Sequence, residues 1–356
     1  MKHLTVIILL ITCALACNRE SQLFHPDIRK EYSLDSLTPV RLRSDPAGVS
    51  CNNARGLFVL TPYIILLTDD DNGYLKIYSA GDSGPVSICQ RGRANNEFIV
   101  CESSGQFGYN LYGDVLMYLQ DVFQTKIINI TKSLETGYAM VERMVDTGNI
   151  NEERAFMRDT SILFRKENVS YEDARDYIYE PATYYWGNKG KYTTPYKKVL
   201  KNDNFPTLPI HVYSGAMRLS PDRTMVVEAL GYMDIINIFN LVTGTILGLK
   251  CKNAYSFSDI EKMSEPELEA SMKITNTSVC VTNKYIMVLR SGNPAIENDG
   301  SAHEVIVFEW DGDIVKLFEL DNEAISIAYD DTTDLLYYLN DEGQVFKTHI
   351  DLDVCD

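Results

Sequence analysis

Asp69-Asp70-Asp71-Asn72-Gly73 sets three carboxylates and an amide ahead of a glycine, residue types that can ligate calcium. A calcium loop also needs oxygens at alternating positions around the glycine and a bidentate Glu six residues beyond it. Ser79 stands there, so the acidic run reads as a hairpin turn in water. His25, His211, His303 and His349 show neither H-x-x-H nor H-E-x-x-H spacing, and no G-x-S-x-G elbow or phosphate-cradling glycine loop occurs. No catalytic set, metal or cofactor is expected. Arg91, Arg93 and Glu97 could bridge neighbouring structural units or touch a ligand. Between Tyr171 and Tyr196, seven tyrosines and Trp186 lie among Asp, Glu, Asn and Lys. That composition suits a protein- or sugar-contacting surface, and equally an irregular run of aromatic-rich strands.

These groups must be positioned by strands. Six apolar runs recur at roughly 45 to 65 residues: Tyr63–Thr68, Asp114–Gln120, Thr160–Arg165, Thr224–Leu230, Lys284–Arg290 and Asp334–Asn340. A second strand follows most of them across a tight turn: Tyr74–Tyr78, Thr125–Ile130, Asp234–Phe239, Glu304–Phe308 and Gln344–His349. Asn72-Gly73 and Glu342-Gly343 supply turn residues that accept positive φ. A third strand leaves through Thr243-Gly244 or Asp311-Gly312, and Ile325–Tyr329 opens another unit. Four antiparallel strands per unit and six units, with a weak copy between about 155 and 210, predict an all-β, six-bladed β-propeller over residues 31–356. Ser264-Glu265-Pro266-Glu267 has capping-box spacing and predicts a short helix over 264–272.

At the N-terminus Lys2 and His3 precede an apolar run, Leu4 to Ala16, shorter than the ~20 residues of a spanning helix. Ala14 and Ala16 fit a cleavage site before Cys17. This arrangement resembles the lipobox of bacterial lipoproteins, which implies a signal peptide over 1–16, lipid on Cys17 and a tether over 17–30. The same resemblance implies, with Asn18 after the cysteine, sorting to the outer membrane, on its periplasmic or surface face. Net charge is -17, and losing Lys2 makes it -18, which repels nucleic acid and anionic headgroups. The lipid is then the sole expected membrane attachment. Of eight cysteines, six remain beyond Cys17; no C-x-x-C pair occurs, so buried thiols are expected rather than zinc ligands or disulfides.

Cys89 to Phe98 (CQRGRANNEF), with Gly92, Asn96, Glu97 and Phe98, resembles the G-x-G-P-x-E-F connector of TolB-like six-bladed propeller lipoproteins of Bacteroidetes-type bacteria. Ser220-Pro221-Asp222 resembles the S-P-D turn of such blades. The resemblance implies fold and location rather than activity.

The last unit ends after three strands, and the alternating segment Tyr32–Arg43 is expected to supply its fourth and close the ring. The turns between second and third strands share one side of the ring with the links between blades. The long Ser291–His303 turn, the 252–272 link and the Tyr-rich stretch should enlarge that side, making Tyr184, Tyr185 and Trp186, with Arg93 and Asp70, the expected ligand contacts. The reading is a non-enzymatic, lipid-anchored binding module for a protein or glycan. A hydrolase or lactonase with its site at the channel mouth is the alternative.

Overall fold

The apolar runs bury themselves as strands buried on both faces must. Tyr63–Thr68 is buried over its last four residues, and Tyr285–Arg290 over all but its last. In the computed structural model, residues 29–79, 84–122, 124–146, 152–158, 161–173, 176–188, 191–193, 215–254, 263, 267, 270–294 and 301–352 are described. Cys17, the signal and most of the expected tether lie outside them, as does His211. Glu267, Ala270 and Ser271 are helical, whereas the rest of the expected capping box lies outside.

Three N-terminal strands come first: β1 (Arg29–Tyr32), β2 (Val40–Arg41) and β3 (Asp45–Ser50). The first blade is β4 (Ala54–Leu60), β5 (Tyr63–Thr68), β6 (Leu75–Ser79) and β7 (Val86–Ile88). The second is β8 (Glu102–Tyr109), β9 (Val115–Asp121), β10 (Gln124–Asn129) and β11 (Val141–Asp146), with helix α1 (Ile130–Thr136) before its last strand. A further sheet follows, β12 (Glu152–Arg158), β13 (Ser161–Asp173), β14 (Asp176–Asn188) and β15 (Lys191–Thr193). The third blade is β16 (Gly215–Leu219), β17 (Met225–Leu230), β18 (Ile235–Asn240) and β19 (Thr245–Cys251). The fourth is β20 (Asn276–Val281), β21 (Tyr285–Arg290), β22 (Ala302–Glu309) and β23 (Ile314–Ala324). The fifth takes β24 (Ser326–Asp330), β25 (Leu335–Leu339) and β26 (Gln344–His349), completed by β3.

The all-β propeller of four-stranded blades stands, but its ring has five blades rather than six. Inner strands meet in the order β16, β20, β24, β4, and β8 meets β16 directly. Phe58 of β4 and Phe107 of β8 pack edge to face, their centroids 6.3 Å apart. The unit expected as the weak sixth blade is a side sheet: β12 touches β8, and Leu163 of β13 packs on Met217, Leu219, Val226 and Phe239 of the third blade. Its central hairpin pairs two 13-residue strands, longer than the blade strands of 3 to 11 residues. Tyr184, Tyr185 and Trp186, expected on a loop, are strand residues of β14, in register with Arg165, Phe164 and Leu163.

Ring closure is also corrected. β3, residues 45–50, pairs antiparallel with β26, whereas the expected segment Tyr32–Arg43 does something else. Its ends run parallel to the outermost strands of two other blades, β1 along β19 and β2 along β23. Tyr32 is buried edge-on to Phe308, 5.2 Å between centroids, and Thr348 donates to the Arg43 carbonyl. The N-terminal chain is a belt around the third, fourth and fifth blades. Closing the fifth blade falls to residues 45–50 because they lie directly before β4, where the belt ends.

Candidate functional site

By strand order, the turns between second and third strands and the links between blades share one side, here the link side. The others form the turn side. On the link side a cavity of ≈ 520 Å³ opens between the third and fourth blades, roofed by the belt residues Ser33, Leu34, Asp35 and Leu37. Its floor is charged. Arg290, at the end of β21, donates through Nε and Nη2 to Asp234 (3.2 and 2.8 Å) and through Nη1 to Glu304 at 2.9 Å. Asp234 also accepts from the Tyr32 hydroxyl at 3.1 Å, and its N–H donates to Thr275 Oγ1 at 3.0 Å.

Physical causes order this floor. Burial opposes the Arg290 charge, but Asp234 and then Glu304 outweigh it and raise its pKa further. Burial and the Asp234 charge hold the Tyr32 hydroxyl well above its usual range, keeping it a neutral donor. The forked guanidinium–carboxylate geometry makes the pair rigid. Lys273 and Asn253 stand exposed at the mouth, beside the half-buried Ser271 and Tyr232. The site therefore offers a fixed, charge-paired floor and a rim of hydrogen-bonding groups around a volume that suits a side chain or a sugar ring.

The expected ligand residues fall elsewhere on the same side or on the side sheet. Asp70 pairs with Lys76 at 3.0 Å, and the Asn72 N–H and then Lys76 lower its pKa. Arg93 is exposed in the 89–98 connector, which meets the Asp70 turn through Arg91 and Asp71, 3.1 Å apart. Those two expected contacts are thus on neighbouring loops, while Tyr184, Tyr185 and Trp186 belong to β14. Gln106 is buried inside β8, and Glu323 accepts from Ser301 at 3.0 Å. Arg218 of β16 reaches the Phe58 ring of β4, 5.3 Å away, across the inner ring. Among the described residues no group of three or more His, Cys, Asp or Glu is placed to hold a metal ion.

The connector itself has a structural role. Phe98 is fully buried under the Lys126 ammonium, 4.4 Å from the ring centre, and Lys126 donates to the Glu97 carbonyl. Glu97 accepts from the Ala94 N–H at 2.9 Å, and a Cβ on Gly92 would sit 1.9 Å from its carboxylate. Cys51, Cys89, Cys101, Cys251 and Cys280 are buried free thiols, and burial pushes Cys280 up to about 12.

The cavity was not legible in the sequence, since Tyr32, Asp234, Arg290 and Glu304 come from three distant segments. Asp234 takes a positive φ, 47°, at the end of the Gly231–Asp234 turn.

No family model and no curated protein matches the chain. Among solved structures it is similar to the β-propeller domain of Cps50 (Swd1) from Myceliophteria thermophila, with a TM-score of 0.44 and 12% identity over 87% of this chain and 100% of that one. It is also similar to a chain of the Mitotic Checkpoint Complex, with a TM-score of 0.41 and 10% identity over 90% of this chain and 95% of that one. The propeller is read from this chain's own strand order.

Proposed function

We propose that the chain is a lipid-anchored, non-enzymatic binding module of the bacterial cell envelope, held at the outer membrane through Cys17, and that it takes a protein segment or glycan on its link side. The belt-roofed cavity carries this reading. Its floor is rigid and already charge-paired, so it can seat a ligand without supplying a reactive group, while Lys273, Asn253 and Ser271 offer hydrogen bonds at the mouth. Asp70 and Arg93, on the same side, are assigned to the periphery of that contact, and Tyr184, Tyr185 and Trp186 to an accessory surface on the side sheet. Kinship with TolB-like lipoproteins rests on the 89–98 connector and the Ser220-Pro221-Asp222 turn.

The test pairs location with capture. Cys17→Ala should move the mature chain from membranes to the soluble fraction. Lys273→Glu with Asn253→Ala, two exposed positions, should weaken crosslinked capture from native envelopes or a glycan array at least about tenfold, a loss of ~1.4 kcal/mol. The melting temperature should not move. Undiminished capture would remove the cavity from the binding site, and membrane retention of the alanine variant would remove the anchor.

A further inference from the structure

The turn joining β8 to β9 does the opposite of what an exposed turn normally does. Asn110, Leu111, Tyr112 and Gly113 form it, and its two tip residues are large and apolar: Leu111 is 101% exposed and Tyr112 87%. Tyr109, just before, is 63% exposed. The backbone beneath them is locked. Asn110 Oδ1 accepts from the N–H groups of Tyr112 (2.9 Å) and Asp114 (3.0 Å), while Nδ2 donates to Asp114 (2.9 Å) and Glu142 (2.8 Å). Asn129 donates to the same two carboxylates, at 2.8 and 2.6 Å. Gly113, at φ 84°, closes the turn onto the Asn110 carbonyl. The Asp114 and Glu142 carboxylates are thereby engaged from behind, and the tip residues Leu111 and Tyr112 themselves carry no charge. Lys132 is the nearby charge, 5.8 Å from the Tyr112 ring.

What covers this tip follows from where the chain enters. β8–β9 is a turn between first and second strands and so lies on the turn side. β1 runs parallel to β19, Arg29 beside Gly248 and Tyr32 beside Cys251, and β19 runs from the turn side toward the link side. Arg29, the first residue of β1, therefore lies toward the turn side. Lys30 confirms the placement, because it pairs with Asp313 in the turn between β22 and β23, also on the turn side. From Cys17 to Arg29 is a step of twelve residues, at most roughly 40 Å of chain. On the anchored reading, a lipid on Cys17 would tether the protein from the turn-side end of β1.

We propose that the Leu111–Tyr112 tip is a membrane-docking wedge that enters the lipid interface and orients the propeller on the outer membrane. This rests on the anchored reading above. Tyrosine suits the headgroup level, with its ring among acyl chains and its hydroxyl wet, and Leu111 adds apolar area that no described residue covers. A single tip of this size is too weak to hold a protein on a bilayer alone, as one short lipid chain is. Its role is to set orientation once the anchor holds the protein near.

The experiment uses the full exported chain in a Cys355→Ser background, reconstituted in phosphatidylcholine–phosphatidylethanolamine vesicles. The described native cysteines are buried, so a single introduced thiol takes the environment-sensitive fluorophore. With the label at Leu111→Cys, doxyl lipids should quench emission roughly twofold, as interfacial depth requires, and at Asp71→Cys on the link side they should quench nothing. Flotation with the vesicles and the mass of the N-terminal peptide are read on the same samples. Lipidated, floating protein with no quenching at position 111, or with equal quenching at 71, overturns the wedge and leaves the anchor standing. An unlipidated Cys17 overturns both. A tip that serves a protein groove instead would show no quenching in these lipid-only vesicles, which also overturns the wedge.

Discussion

Lys126 has 2% of its side chain exposed, and its counterion Asp121 has 6%. The two lie 2.9 Å apart, and the Asp121 carboxylate also accepts from the N–H groups of Ile99, Val100 and Val122. This pair ties the 89–98 connector to the second blade. Removing one partner of a buried pair strands the other charge, so Asp121→Asn should destabilise the fold by roughly 3–5 kcal/mol. Urea unfolding at pH 7 measures it. Acid gives a second check. Burial pushes the Asp121 pKa up, but the bonds from Lys126 and then from the Val100 and Val122 N–H groups outweigh it and bring the pKa below the ordinary 3.8. Its stabilisation is thus complete above about pH 4 and lost as pH falls through the lowered folded value. The deficit of the variant against the parent should accordingly shrink below pH 4. A deficit independent of pH would mean that packing, not charge, is what Asp121 supplies.

At the scale of elements, the belt and the closing strand do different work. β1 and β2 add to the outside of complete blades, whereas β3 covers the otherwise open edge of β26. A chain beginning at Ser44 should lose several degrees of melting temperature, because Tyr32 no longer joins the third and fourth blades, yet remain a monomeric propeller. A chain beginning at Asn52 leaves β26 unpaired and should aggregate, as exposed edges do. Circular dichroism melts and size-exclusion chromatography separate the two outcomes. Equal behaviour of both truncations would show that closure lies elsewhere. The apolar runs, their hairpins and the Asp311-Gly312 turn stand where the sequence suggested, since each is decided within some fifteen residues by alternation and turn chemistry. Partner choice for the N-terminal segment is not legible in the sequence, because alternation in Tyr32–Arg43 states that it is extended and leaves open whose edge it meets.

At the scale of the whole molecule, the chain carries a net charge of -17, and like charges at its surface repel. Raising salt shortens the screening length from about 30 Å at 0.01 M to about 8 Å at 0.15 M, so the melting temperature should rise across that range. The buried Asp121–Lys126 pair is beyond such screening. A fall in melting temperature would show that surface pairs such as Arg91–Asp71 outweigh the general repulsion. The sequence by itself determined an acidic all-β chain and blade hairpins in their proper order, because composition and short-range periodicity carry that information. Blade number was beyond it. Six similar runs cannot say whether a unit enters the ring, and only packing, with β8 against β16 and Leu163 on the face of the third blade, excludes β12–β15 from it. The cavity likewise exists only once Tyr32, Asp234, Arg290 and Glu304 meet, since contacts such as Tyr32–Asp234, 202 positions apart, leave no mark on local sequence.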